Sequence, residues 1–193
     1  MKKKIILGSG SPRRRELLAQ IGMMFEVIVS DGEEIYTNTV PEEIVKELAL
    51  MKAEHVSQIV EDKNSSVIIG ADTVVVLDHQ ILGKPKNEDE AFQMLKHLQG
   101  RAHQVYTGTA LLVYEEDGSK QVVSHAEKTE VFVHEMSDEE IRQYIATGEP
   151  MDKAGSYGIQ GCFAAYIDRI EGDYYNVVGL PVAYLYQQLK QFI

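Results

Sequence analysis

Apolar positions recur along the chain at two different spacings, and the switches between them divide it into short alternating elements. Residues 4–7, Lys-Ile-Ile-Leu, predict a buried strand that ends at a Gly/Ser turn. Pro12 lacks the N–H that a helix's first turn leaves unpaired, so it suits the start of a helix over 12–21. Leu17, Leu18 and Ile21 form that helix's apolar stripe, and Gly22 stops it. Residues 25–29 return as a strand, and the polar stretch 30–38, with Asp31, Glu33 and Glu34, reads as a loop. Pro41 opens a second helix over 41–60, where Ile44, Val45, Leu48 and Met51 recur at helical spacing.

Val67-Ile68-Ile69 marks a central strand over 66–72, which 73–77 either prolong or leave for a bent neighbour. Asp78-His79 then turns the chain back through Ile81 and Leu82. Asn87 and Glu90 stand as N-cap and N3 of a helix that carries Phe92, Leu95 and Leu98 inward and stops at Gly100. Residues 105–114 and 121–134 predict a β-hairpin around Glu116-Asp117-Gly118-Ser119. Ser137 and Glu140 repeat the capping pattern for a helix to residue 146, closed by Gly148 and Pro150. Segment 151–161 has too many glycines for regular structure and is too apolar for a linker. A strand over 163–170 and an amphipathic helix over 181–192 complete the chain. With no internal repeat and with helix and strand signals interleaved, a mixed α/β fold is expected.

Charge sharpens this picture. The first fifteen residues hold six Lys or Arg and no acid, so all 30 Asp and Glu follow them, against thirteen basic residues. A net charge of −11 argues against broad nucleic-acid binding, which needs an extended positive face. One basic patch on an acidic body fits a small anion better. Lys2, Lys3 and Lys4 read as a solubilising terminus, whereas Arg13 and Arg14 sit beside the Gly/Ser turn. The single cysteine, Cys162, excludes an intrachain disulfide and a multi-cysteine metal site, and its apolar neighbours point to packing. Ile5-Ile6-Leu7 is too short for a signal peptide's apolar core, and no apolar run reaches membrane-spanning length. No membrane partner and a cytoplasmic compartment are therefore expected.

The candidate chemistry lies in two segments. Gly8-Ser9-Gly10-Ser11-Pro12-Arg13-Arg14 occupies a strand–loop–helix junction, where glycines admit a ligand and a helix start offers unpaired N–H groups to an anion. Ser9 and Ser11 add hydroxyls, and Arg13 or Arg14 can clamp a polyphosphate with paired hydrogen bonds. The segment lacks the Gly-Lys-Ser/Thr ending of a P-loop and the third glycine of a dinucleotide fingerprint. Gly70-Ala71-Asp72-Thr73 sets Asp72 near the carboxyl end of a strand, where a carboxylate binds a divalent cation, activates water or merely caps a turn.

Other residues are open to two readings. Lys84, in Gly83-Lys84-Pro85, either neutralises a phosphoryl group or is an ordinary turn lysine. Lys52 on the second helix reads as a rim residue. Asp152-Lys153-Ala154-Gly155-Ser156-Tyr157-Gly158-Ile159-Gln160 suits a loop shaped around a ligand, with Gln160 able to read a base edge and Tyr157 packing beneath. The six histidines show no ligand spacing and no nucleophile elbow occurs, so metal held by oxygen and attack by water are expected.

Together these segments resemble the Maf family of nucleoside triphosphate pyrophosphatases, also known as septum-formation inhibitor Maf. The match runs through Ser9-Gly10-Ser11-Pro12-Arg13-Arg14, Glu33-Glu34, Gly70-Ala71-Asp72-Thr73, Gly83-Lys84-Pro85, the segment from Asp152 to Gln160, and Gly179-Leu180-Pro181. It therefore covers essentially the whole chain. The resemblance implies one domain over 1–193 with two lobes around a nucleotide cleft. Its fold would be an elongated mixed sheet flanked by helices, as in inosine triphosphate pyrophosphatases.

The resemblance further implies hydrolysis of a nucleoside triphosphate to monophosphate and pyrophosphate with a divalent cation, Mg²⁺ or Mn²⁺. Asp72 maps onto the family's proton acceptor, and Arg13, Thr73 and Gln160 onto its specificity positions, in a combination like the dTTP/UTP branch. Lys52, Lys84 and Glu34 become phosphate or metal contacts on the same ground, with Asp72 and Glu34 as the metal pair. Homodimers and links to modified pyrimidine nucleotides and division arrest also belong to the family. The alternatives are a non-catalytic nucleotide sensor or division regulator, a protein that binds nucleic acid through its basic start, and a hydrolase releasing the γ-phosphate. The apolar tail Tyr184-Leu185-Tyr186, Leu189, Phe192 and Ile193 reads as core in preference to interface.

Overall fold

The computed structural model describes residues 3–115 and 117–192. Lys2 of the basic start, Glu116 of the hairpin turn and Ile193 of the apolar tail lie outside the described residues. Among the described residues the strands are β1 (Lys4–Leu7), β2 (Glu26–Val27), β3 (Ser66–Leu77), β4 (Gln80–Leu82), β5 (Ala102–Tyr114), β6 (Lys120–Val133) and β7 (Ile167–Glu171). They form one sheet in the order β2-β1-β3-β5-β6-β7, with β4 paired to β3. Strand β1 is parallel to β2 and β3, while β4 and β7 are antiparallel to their neighbours, so the sheet is mixed. The helices are α1 (Pro12–Gln20), α2 (Pro41–Ile59), α3 (Glu88–Leu98), α4 (Asp138–Ala146), α5 (Tyr174–Val178) and α6 (Val182–Leu189). Among the described residues no helix is long and apolar enough to cross a membrane.

The chain divides into two compact units. The first comprises Met1–Asp72, Thr107–Glu127 and Gly179–Ile193. Here Leu7 on β1 pairs with Ile69 on β3, and Ile5, Ile6, Leu7, Val67, Ile68 and Ile69 are all buried, as expected of parallel strands covered on both faces. Helix α2 lies directly on this sheet. A Cβ added at Gly70 would stand 2.0 Å from the Ala49 carbonyl oxygen, and one at Gly108 would stand 2.1 Å from that of Val45. Ile6, Ala49, Ala53, Val56, Ile68, Ala110 and Leu112 fill the core between helix and strands.

The second unit comprises Thr73–Tyr106 and Lys128–Val178. Its β3–β4 hairpin turns on Asp78 and His79, both with positive φ (49° and 64°), the backbone that a two-residue hairpin of right-handed twist requires. Asn87 caps α3 by accepting the Glu90 N–H, and Ser137 and Glu140 cap α4 reciprocally. Phe163 is fully buried among Tyr144, Tyr157 and Tyr166. Tyr157 packs beneath its loop and bonds its hydroxyl to His103 Nε2 at 2.7 Å.

Several sequence expectations shift. Residues 66–77 are one continuous strand. The strand expected over 163–170 starts only at Ile167, because Phe163 is drawn into the aromatic core and Cys162–Tyr166 coils as a 3₁₀ turn. Cys162 is exposed, not packed. The last helix ends at Leu189, with Leu185 and Leu189 buried and Tyr186 exposed. Helix α5 carried no periodic signal at five residues; Asp173 caps it by accepting the Tyr175 N–H.

Candidate active site

Between β1 and α1 the chain makes a tight loop at the carboxyl end of the parallel strands. The Gly8 N–H donates to the Ile69 carbonyl at 2.7 Å, and a Cβ there would stand 3.1 Å from both that oxygen and Val56. Ser9 Oγ accepts from the Ser11 N–H (3.3 Å) and from Arg14 Nη1 (3.0 Å). Arg14 Nε donates to the Gly179 carbonyl at 2.8 Å, which ties the loop to the turn before α6. Ser11 is the N-cap of α1 but makes no capping bond with its side chain, and Pro12 occupies the first turn. This leaves a helix start of the kind that attracts anions.

The two arginines have different surroundings. Arg14 is buried and Arg13 half-buried. Burial lowers the Arg14 pKa, the Asp72 and Glu34 carboxylates raise it, and the Arg13 charge lowers it again. A guanidinium keeps its proton through such shifts. The same interactions show that the arginine loop and the carboxylates lie within electrostatic reach of one another.

Lys52, on α2, joins the two acids. Its Nζ lies 2.6 Å from Asp72 Oδ1 and 3.1 Å from Glu34 Oε1. Asp72 is 13% exposed and Lys52 21%, so this pair sits largely inside, whereas Glu34 is 55% exposed. Glu34 comes from a loop without regular structure that is pinned to α2 on either side. Glu47 accepts from the Thr37 N–H and hydroxyl and from Asn38 Nδ2. At Gly32 a Cβ would stand only 1.9 Å from His55 Nδ1. Asp31 and Glu33 are exposed.

Among the described residues no group of three or more His, Cys, Asp or Glu is gathered for a metal. Asp72 and Glu34 nonetheless converge on a single cation, the Lys52 ammonium. One or two carboxylates completed by phosphate oxygens and water is the donor set that Mg²⁺ prefers. The residues therefore fit a cation that arrives with a polyphosphate.

In the second unit, Thr73 follows Asp72 on β3 and is half-buried. Lys84 is exposed in the turn after β4, and the Gly83 carbonyl accepts the Gly155 N–H at 3.1 Å, joining that turn to the glycine-rich segment. Gly155 has φ 69°, and a Cβ there would press on Val75 at 2.9 Å. Gln160 is exposed. Sequence reasoning missed Glu47, which holds the loop that carries Glu34, and Glu149, whose carboxylate accepts from the Cys162 N–H. Both act through contacts that only the folded chain creates, and neither stands in a spacing that marks a site.

The Maf-like protein family pattern matches residues 4–192, and the chain belongs to this family. It is 50% identical over 189 residues to a dTTP/UTP pyrophosphatase of Lachnoclostridium phytofermentans, covering 98% of this chain and 95% of that protein. It is 52% identical over 191 residues to a dTTP/UTP pyrophosphatase of Bacillus cytotoxicus, covering 98% and 96%. A distant likeness is the structure of a HAM1 protein from Coxiella burnetii, with TM-score 0.43 and 17% identity over 68% of this chain and 73% of that one.

Proposed function

We propose that this protein hydrolyses dTTP and UTP between the α- and β-phosphates, giving the nucleoside monophosphate and pyrophosphate. Half-identity to dTTP/UTP pyrophosphatases over nearly the full chain carries the substrate class. The convergence of Lys52, Asp72 and Glu34 near an anion-attracting helix start supports the chemistry.

In this reading Ser9, Ser11 and the first N–H groups of α1 bind phosphate oxygens, Arg13 adds charge, and Arg14 holds the loop in shape while lending its field. Asp72 orients the attacking water and takes its proton. Lys52, held beside Asp72, and Lys84, in its turn, neutralise charge that builds on the phosphates. Asp72 and Glu34 would hold Mg²⁺ or Mn²⁺, which supplies charge neutralisation on a substrate that an acidic protein otherwise repels. Thr73 and Gln160 select the base. The proposed compartment is the cytoplasm, and the proposed assembly a homodimer, to be checked by light scattering.

A panel of nucleoside triphosphates, with pyrophosphate and orthophosphate measured separately, tests this reading. Pyrophosphate should appear first from dTTP and UTP. Orthophosphate as the first product would point to γ-phosphate cleavage, and tight binding without either product to a sensor.

A further inference from the structure

Gln160 sits at the crest of a short arch, and both sides of that arch are tied to one carboxylate. Two residues after it, the Cys162 N–H donates to Glu149 Oε2 at 2.9 Å. Two residues before it, the Gly158 N–H donates to the Tyr144 hydroxyl at 3.3 Å, and that hydroxyl donates to Glu149 Oε1 at 2.9 Å. The carboxylate also lies hard against the arch itself. A Cβ added at Gly161 would stand 2.2 Å from Glu149 Oε1, so any larger residue there would push the carboxylate aside. Glu149 is secured in turn: its N–H donates to Thr147 Oγ1 at 3.2 Å and its carbonyl accepts from Lys153 Nζ at 2.8 Å. Burial and the neighbouring Glu149 carboxylate push the Tyr144 pKa upward, so the phenol keeps the proton it donates.

We infer that Glu149 is a positioning residue for nucleobase selection, fixing through Cys162 and Tyr144 the arch that presents Gln160. An amide side chain distinguishes one base edge from another only if its carbonyl and NH₂ are held at a fixed angle. An exposed glutamine between two glycine-rich flanks has no such angle of its own. Glu149 fixes the backbone on both sides of it, and so the direction from which the side chain leaves, without touching the nucleotide. The inference rests on the base-reading role proposed for Gln160.

The test compares Glu149→Ala, Glu149→Gln and Gln160→Ala in the full chain, using kcat/KM for UTP and for GTP and inhibition by inorganic pyrophosphate. In Glu149→Ala the UTP-over-GTP ratio should fall about tenfold or more. Inhibition by pyrophosphate, which has no base, should stay within about twofold, and the Glu149→Ala/Gln160→Ala double variant should lose little beyond Gln160→Ala alone. Glu149→Gln, which keeps one carbonyl acceptor, should recover part of the ratio, and it carries the test if the alanine variant does not fold. A lowered ratio in Gln160→Ala with an unchanged one in both Glu149 variants would overturn the inference and leave the proposed function standing. An unchanged ratio in Gln160→Ala would remove the base-reading role itself, and the inference with it.

Discussion

Lys52 Nζ stands 2.6 Å from Asp72 Oδ1, an ion pair that spans a helix–strand contact only a glycine permits. Gly70, two residues before Asp72, lets the α2 backbone rest on β3 at Ala49, and Lys52 lies less than one turn further along the helix. Helix packing and the chemistry of the site therefore depend on the same contact.

Gly70→Ala should show this dependence. Its new methyl would meet the Ala49 carbonyl oxygen at 2.0 Å, with backbone on both sides and nothing flexible to yield. Overpacking of this kind costs about 3 kcal/mol or more where neither partner can move aside. Urea unfolding should show that loss, and turnover should fall further than stability alone explains, because Lys52 is carried away from Asp72.

Asp72→Asn keeps the shape of the side chain and removes the proton acceptor. Turnover should fall about 10²–10⁴-fold, the usual contribution of general acid–base catalysis, with an unchanged circular dichroism spectrum. A variant that hydrolyses UTP at the parent's rate would show that Asp72 is not the base.

Arg13 and Arg14 should separate under the same substitution. Arg14→Lys breaks the buried fork that joins Ser9 to the Gly179 carbonyl, at about 1–3 kcal/mol. Arg13→Lys keeps the charge at a half-buried position but loses the planar fork, and should act mainly on KM. Thermal melts beside steady-state kinetics distinguish the two.

Much of this architecture was legible in the sequence because its signals are local. Pro12 and Pro41 start α1 and α2, Asn87 and Ser137 cap α3 and α4, and the Val67-Ile68-Ile69 run marks the buried centre of the sheet. What escaped is non-local. Adjacent residues on a helix point about 100° apart, so Arg13 and Arg14 read alike and only packing assigns one to the interior. Lys52 read as a rim residue because its partner Asp72 is twenty positions away. Cys162 looked like core because its neighbour Phe163 is core, yet its backbone N–H, not its thiol, is engaged.

His103 makes stability depend on pH. Burial lowers its pKa from 6.5 to about 4, so the folded chain holds it neutral while the unfolded chain takes up a proton. Stability should be complete above pH about 6.5 and fall as pH drops toward about 4, by about 3 kcal/mol in all. His103→Gln should flatten that part of the pH–stability curve measured by denaturant unfolding.

In the proposed reaction, water attacks the α-phosphorus of a pyrimidine nucleoside triphosphate. Hydrolysis of UTP in heavy-oxygen water, followed by mass spectrometry of both products, reads the attacked atom directly. The heavy oxygen should appear in UMP, with pyrophosphate unlabelled. Label in pyrophosphate, or in released orthophosphate, would contradict it.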